Sequence, residues 1–369
     1  MIPLGVYVHV PFCLSRCGYC DFNTYTTGDR GAYVDAALAE IDLAARVLHA
    51  DGPARPVATV FLGGGTPTLL TPAQIGALLA RIDARLGLAP GAEVTVEANP
   101  DSVDAAALDG LRAAGVTRMS FGVQSVREHV LAALERSHGP RRALQAIREA
   151  RAAGFDGVSA DLIYGTPGES ADDWRASLEA VLEAGADHVS AYALTVEPGT
   201  RLHAQVRRGA RPAPDPDTLA DRYAAADALL SDAGLRWYEL SNWAREPRGR
   251  CRHNLGYWRS HDWWGIGPGA HSHLAGTRWW NLAHPARYAA ALREGRSPAQ
   301  ERETLEPAQR RLERVMLEAR LAEGLDRDLC DPAALERLRA GGLLRVDDGR
   351  AVLTLRGRQV ADAVVRHLA

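Results

Sequence analysis

The sequence predicts an α/β protein: an open or partial barrel of about six βα units, followed by a small α+β unit of winged-helix type. Three observations lead there. Over residues 1–200, short β-branched or apolar runs alternate with Ala/Leu/Arg/Glu-rich stretches of helical length, the signature of parallel βαβ units. Those runs end in polar or glycine-rich residues, as strands do at the functional face of a barrel. From about residue 300 the rhythm gives way to two helical stretches, a hairpin and a closing helix.

In chain order the expected strands are 6–10, 57–62, 94–98, 118–123, 157–163 and 188–194. The expected helices between them are 32–48, 72–86, 105–114, 141–153 and 171–184. The first strand runs into three cysteines, and the second into Gly63-Gly64-Gly65-Thr66-Pro67-Thr68. The third carries Glu97, the fourth meets Gln124-Ser125, and the fifth carries Asp161 before Gly165-Thr166-Pro167-Gly168. Residues 201–235 add a proline-rich loop and another helix. Residues 236–300 are dense in Trp, His, Asn and Gly and are expected to pack on the barrel. The division is thus 1–235, 236–300 and 301–369, with the hairpin of the last unit turning on Asp347-Asp348-Gly349.

Composition bounds the function. Of 369 residues, 46% are hydrophobic and 24% charged, with a net charge of −3, as in ordinary globular proteins and without a basic field for nucleic acid. In the C-terminal unit, basic residues alternate with acids such as Glu313, Glu318, Glu323, Asp326 and Asp328, so no phosphate-binding stripe forms. All 43 basic residues are arginine, which excludes a lysine Schiff base and a Walker-A phosphate loop. No apolar run reaches the roughly 18 residues of a membrane span. The N-terminus lacks the basic and cleavage regions of a signal peptide, so a cytoplasmic protein is expected.

Three of the five cysteines fall in Cys13-x3-Cys17-x2-Cys20. A tight triplet in a chain of odd cysteine count points to metal rather than disulfides. Thiolates suit iron–sulfur clusters and zinc. Three ligands on a four-iron cube leave one iron open to a small molecule. Structural zinc prefers a closed set of four ligands, commonly two CxxC-type pairs, and the chain has no second pair.

In its setting, Tyr7-Val-His-Val-Pro-Phe-Cys-x3-Cys-x-Tyr-Cys, this triplet resembles the radical-SAM superfamily. More narrowly it resembles the oxygen-independent coproporphyrinogen III oxidase-like family, including its heme chaperone branch. The likeness runs over about residues 5–360. It implies a partial (β/α)6 TIM-like barrel of the radical-SAM type with a [4Fe–4S] cluster on Cys13, Cys17 and Cys20. It also implies S-adenosylmethionine (SAM) on the open iron. By the same resemblance Gly64, Gly65 and Thr66 meet the methionine part of SAM, and Tyr7, Tyr19, Glu97, Gln124, Arg136 and Asp161 contact SAM. The number of SAM molecules stays open. Gly265-Ile-Gly-Pro-Gly-Ala-His271-Ser resembles a closing glycine-rich segment of the family, with a simple turn as the alternative.

His253-Asn254-x2-Tyr257-Trp258 resembles the HNxxYW signature of the heme chaperone branch, and His253 is the residue it marks for heme. Cys251, His261, His271 and His273 are nearby alternatives, and a packed aromatic core with a hydrogen-bonded histidine is the other reading. Two departures separate this chain from the oxidase branch. Phe22 stands where that branch has a further cysteine, and only twelve residues precede Cys13 where it has a longer extension. The expected function is a heme chaperone with heme as cargo, delivering it to client respiratory hemoproteins, with no catalytic residue assigned. The alternative is an oxidoreductase that oxidatively decarboxylates coproporphyrinogen III. Radical chemistry would require a ferredoxin- or flavodoxin-type electron donor. Peripheral membrane contact through the client is left open.

Overall fold

The computed structural model describes residues 2–50, 55–245 and 249–368. Six strands, β1 (Leu4–Val10), β2 (Val57–Gly64), β3 (Leu88–Ala98), β4 (Arg118–Gln124), β5 (Gly157–Tyr164) and β6 (His188–Ala193), lie side by side in chain order, all parallel. Helices Arg30–Ala50, Pro72–Leu86, Ala105–Ala113, Pro140–Ala152 and Ala171–Glu183 connect them. Sequence explains their starts. Thr71 and Gln74 form a capping box with Pro72 behind it, and Ser170 and Asp173 form another, each satisfying the free N–H groups of a first turn. Short helices that were not expected are Glu128–Ala133 here and, further along, Arg201–Arg207, Arg252–Trp258 and Pro285–Arg293.

The strands are amphipathic in an unusual sense. In β4, Met119, Phe121 and Val123 are fully buried, while Arg118, Ser120, Gly122 and Gln124 line an internal cavity. In β5 and β6, Val158, Ala160, Leu162, Val189 and Ala191 belong to the main hydrophobic core, and Ser159, Asp161, His188 and Ser190 line the cavity. Period-two alternation therefore gives the sheet an apolar outside under the helices and a polar inside. A closed barrel fills its interior with branched side chains; this open one keeps a chamber.

Residues 236–304 extend both edges of that sheet. β7 (Arg236–Glu239) and β8 (Asn242–Ala244) add antiparallel strands beside β6. β9 (Asp262–Ile266) pairs parallel with β1, and β10 (His271–Leu274), β11 (Thr277–Asn281) and β12 (Ala299–Thr304) continue antiparallel, for a twelve-stranded sheet. Between the two edges, residues 249–258 cross the end of the barrel opposite the cysteines. Arg118 donates to the Gly249 carbonyl at 2.8 Å, Glu93 accepts from the Arg252 and His253 amides, and His253 meets Thr59. Arg118 opens β4 and Thr59 is the third residue of β2, and Glu93 of β3 pairs with Thr59 in register.

The C-terminal residues have their own core of Val315, Leu325, Leu338, Leu344, Leu353, Val364 and neighbours. Helices Pro307–Glu318 and Pro332–Ala340 precede the hairpin of β14 (Leu344–Asp347) and β15 (Arg350–Leu353), which pairs with the short β13 (Leu325–Asp326). The closing stretch is two helices, Leu355–Gln359 and Ala361–Leu368, rather than one. Arg358 ties this unit to the barrel through two 2.7 Å bonds to Asp227 and lies 4.3 Å over the Trp237 ring. Among the described residues no helix is long and apolar enough to cross a membrane.

Candidate cluster and cofactor site

A cavity of about 680 Å³ opens at the C-terminal ends of the strands. Cys13, Cys17 and Cys20 stand on its mouth, all partly accessible and none in a disulfide. The loop that carries them is locked on two sides. On one side Gly65 donates to the Val10 carbonyl at 2.8 Å and Thr66 to the Phe12 carbonyl at 2.7 Å. On the other side Asn23 donates to the carbonyls of Pro268 and Ala283 at 3.0 and 2.9 Å. The glycines permit both contacts. A Cβ at Gly65 would lie 2.4 Å from the Phe12 oxygen, and one at Gly267 would lie 2.4 Å from the His9 oxygen.

This gives the glycine run a role the sequence did not reveal. The N–H groups of Gly64, Gly65 and Thr66 are all taken, the first by Glu97 at 3.2 Å. They are therefore not bare donors for a ligand. Gly64 has φ +107° and packs on the His9 ring, a close approach only glycine allows. All three residues still line the cavity.

The second glycine segment is more than a turn. Buried Glu40, from the first helix, accepts from the Gly267 amide at 2.8 Å, from Asn281 at 2.7 Å and from the Tyr288 hydroxyl at 2.5 Å. Burial raises its carboxyl to about 7.

The polar wall is built from neighbouring strands in register. Tyr7 sits beside Phe61 and Gly265. His9 Nε2 faces the Asn23 carbonyl at 2.9 Å and so carries the proton, which makes Nδ1 the acceptor for the Tyr7 hydroxyl at 3.0 Å. Glu97 pairs with Ser120 across strands, and Gly122 with Asp161. Burial, then the nearby Asp161 charge, pushes Glu97 up to about 8. Burial also raises Asp161, although the Ser120 hydroxyl donates to both its oxygens at 3.0 and 3.2 Å. Without ligand, Glu97 therefore holds a proton at neutral pH. Gln124 has φ 64° at a register break in β4, a left-handed conformation uncommon for a non-glycine residue. It too lines the cavity, as does Tyr19.

Arg136 joins the wall to the cysteines. It donates to the Cys17 sulfur at 3.4 Å, to the Gly122 carbonyl at 2.9 Å and to Asn99, while its buried Nε has no partner. Asn99 in turn meets His138, which burial and the Arg136 charge hold down at about 4 and therefore neutral. At the floor, Arg118 is buried with its Nε unpartnered, and neutral His188 bridges Ser159 and Tyr238 at 2.7 and 2.8 Å. Asn99, Arg118, His138 and His188 were not singled out from sequence. The alternation Arg118-Met-Ser-Phe-Gly-Val-Gln124 was the signal that could have found the β4 set.

His253 also lines the chamber, in its floor. Its Nδ1 meets the Thr59 hydroxyl at 2.8 Å and its Nε2 the Tyr257 hydroxyl at 2.8 Å, and its ring stacks on Phe61. Burial lowers it to about 3. Both ring nitrogens are thus engaged, and binding iron would first require release of one hydroxyl. Cys251 is buried beside Glu93, and burial raises its thiol.

The donors present fit an iron–sulfur cluster with a polar small molecule beside it. Three thiols share one mouth, a guanidinium touches one of them, and two guanidiniums with a buried unpartnered Nε and two carboxyls line the same cavity. Every residue that the resemblance implied for cluster or SAM lies on this one wall.

The comparisons agree with that geometry. Residues 7–181 match the model of the radical SAM superfamily. The heme chaperone HemW of Mycobacterium tuberculosis is 52% identical over 99% of this chain and 95% of its own. That of Bacillus subtilis is 31% identical over 98% and 97%. The structure of coproporphyrinogen III oxidase (HemN) from Escherichia coli superposes over 100% of this chain and 90% of its own, with a TM-score of 0.84 at 24% identity, and shares the fold. The chain belongs to the radical SAM superfamily and, within it, to the family of the heme chaperone HemW.

Proposed function

We propose that this protein is a heme chaperone: it binds heme beside a [4Fe–4S] cluster and SAM and passes it to heme-requiring proteins, respiratory ones among them. One observation carries the reading. The 52% likeness to a protein named a heme chaperone spans 99% of the chain, including the floor segment and C-terminal unit that lie beyond the cofactor-binding half. Cys13, Cys17 and Cys20 would hold the cluster, and Tyr7, Tyr19, Gly64, Gly65, Thr66, Glu97, Gln124, Arg136 and Asp161 would surround SAM. A cluster of this type supplies, when bound, a site for the amino and carboxylate groups of SAM and a route for one low-potential electron.

The chain's own groups have distinct tasks. Arg136 donates to the Cys17 sulfur and so would orient it as a cluster ligand. Protonated Glu97 can donate as well as accept, which suits a hydroxyl-bearing ribose. The Glu40 network and the Gly65 joint hold the cysteine loop in place. The cytoplasm is the proposed compartment, and a ferredoxin- or flavodoxin-type donor is the proposed source of electrons.

One anaerobic experiment separates this reading from porphyrinogen oxidation. Reconstituted protein is incubated with SAM, reductant and coproporphyrinogen III, and heme is titrated in parallel. Stoichiometric heme binding without turnover is expected. Protoporphyrinogen formation over many turnovers would reject the chaperone reading.

A further inference from the structure

We propose that heme docks outside the chamber, on its rim, with the macrocycle against Leu14 and Phe22 and the propionates toward Arg16. The proposal rests on the heme-binding reading and specifies where the cargo sits. Leu14 is 65% exposed and Phe22 61%, the two highest values among the large hydrophobic side chains of the described residues. Both border the cavity mouth, one just after Cys13 and the other just after Cys20. Exposed apolar side chains clustered at a polar site mark a binding surface.

The chamber itself is poorly suited to the cargo. At about 680 Å³ it has the size of a site for one drug-sized ligand, and the cysteines and SAM wall claim that space. Its inner face carries the carboxyls of Glu97 and Asp161, and the guanidiniums there, Arg118 and Arg136, are already bonded to main-chain carbonyls. His253, in the floor, has both ring nitrogens engaged.

The rim has the matching chemistry. Between the two apolar residues stands exposed Arg16, which donates to the Cys20 carbonyl at 3.3 Å and keeps its other N–H groups for a carboxylate. The acids of the loop between β1 and the first helix are Asp21, beside Phe22, and Asp29, so Arg16 is the cation that marks the carboxylate end of the rim. Heme held by one face and its carboxylates would leave the other face of the iron open to a client's ligand, as a hand-off requires. It also sits next to the cysteines, so electrons from a cluster there have a short path to the iron.

The test titrates heme, followed by its Soret band, into the full-length reconstituted protein, the L14S/F22S double variant, R16Q and H253A. Iron content is measured on each. The rim site predicts that the double variant binds heme roughly tenfold more weakly or worse, that R16Q is weakened several-fold, and that iron content is unchanged. If the double variant loads no cluster, R16Q alone decides, and wild-type affinity there overturns the proposal. Wild-type affinity in both rim variants overturns it while leaving heme binding intact, as does loss of binding confined to H253A, which moves the cargo into the chamber. Absence of heme binding by the unsubstituted protein sinks the chaperone reading and this site with it.

Discussion

Replacing Gly65 with alanine tests whether the glycine run is a backbone joint that fixes the cysteine loop. The new Cβ would lie 2.4 Å from the Phe12 oxygen, 2.9 Å from its carbonyl carbon and 3.0 Å from its nitrogen. All three are main-chain atoms, so no rotamer change relieves the clash. Reaching an ordinary contact of 3.4 Å requires the two segments to part by about 1 Å. That movement breaks the 2.8 Å bond from Gly65 to Val10 and the 2.7 Å bond from Thr66 to Phe12. Two lost hydrogen bonds at about 1 kcal/mol each, with overpacking of about 1–3 kcal/mol, give a loss of roughly 3–5 kcal/mol. Thermal denaturation of the metal-free protein reads the stability, and iron retained after anaerobic reconstitution and desalting reads the loop. Both should fall. Gly76 is the control: it lies inside helix Pro72–Leu86, and its Cβ would only touch that of Ala114 at 3.4 Å. Gly76→Ala should stabilise by roughly 0.5–1 kcal/mol. Wild-type melting and iron content in Gly65→Ala would refute the joint.

Other outcomes follow from the same structure. Glu40 is raised from 4.5 to about 7, so the fold binds more protons than the unfolded chain between those values. Stability from this group is full below pH 4.5 and lost as pH rises through 7. Glu40→Gln should flatten the fall in melting temperature of the metal-free protein between pH 5 and 8, and an unchanged slope would contradict the assignment. Thr59→Val removes the hydroxyl bonded to buried His253 Nδ1 at 2.8 Å and should cost about 1–3 kcal/mol in denaturant titration, the penalty of a buried group left unpaired. Cys251 is 5% exposed with its thiol raised by burial. Alkylation of the native metal-free protein followed by mass spectrometry should therefore find Cys17 modified well before Cys251, and labelling at equal rates would show that the floor segment opens readily.

Much of this was legible in the sequence because the informative signals are local. The strand–helix rhythm of residues 1–200 follows periodicity, and the helix starts at Pro72 and Ala171 follow capping residues. The spacing of the three cysteines and the strand positions of Glu97 and Asp161 pointed to one face of the barrel, and all five line the one cavity. What escaped depends on contacts across the chain. That Trp263 and Trp264 lie in a strand parallel to β1 is a pairing over about 250 residues, and nothing in a short window encodes it. The Gly63–Gly65 run looks like a ligand cradle until Phe12 is seen against it. His253 resembles a free ligand until Thr59 and Tyr257 are placed on its two nitrogens. The polar chamber could have been read from the alternation in β4, but Arg118 in a strand is ordinarily taken as a solvent-facing residue, and only the crossing segment at Gly249 buries it.

The central claim is that three thiols hold an iron cube whose fourth corner accepts SAM. The most direct measurement is iron and sulfide content with electron paramagnetic resonance of the reduced, oxygen-free reconstituted protein, recorded with and without SAM. The account predicts about four irons and four sulfides per chain, the stoichiometry of a [4Fe–4S] centre, and a signal that changes when SAM is added. A protein that retains only zinc, or a cluster signal indifferent to SAM, would contradict it.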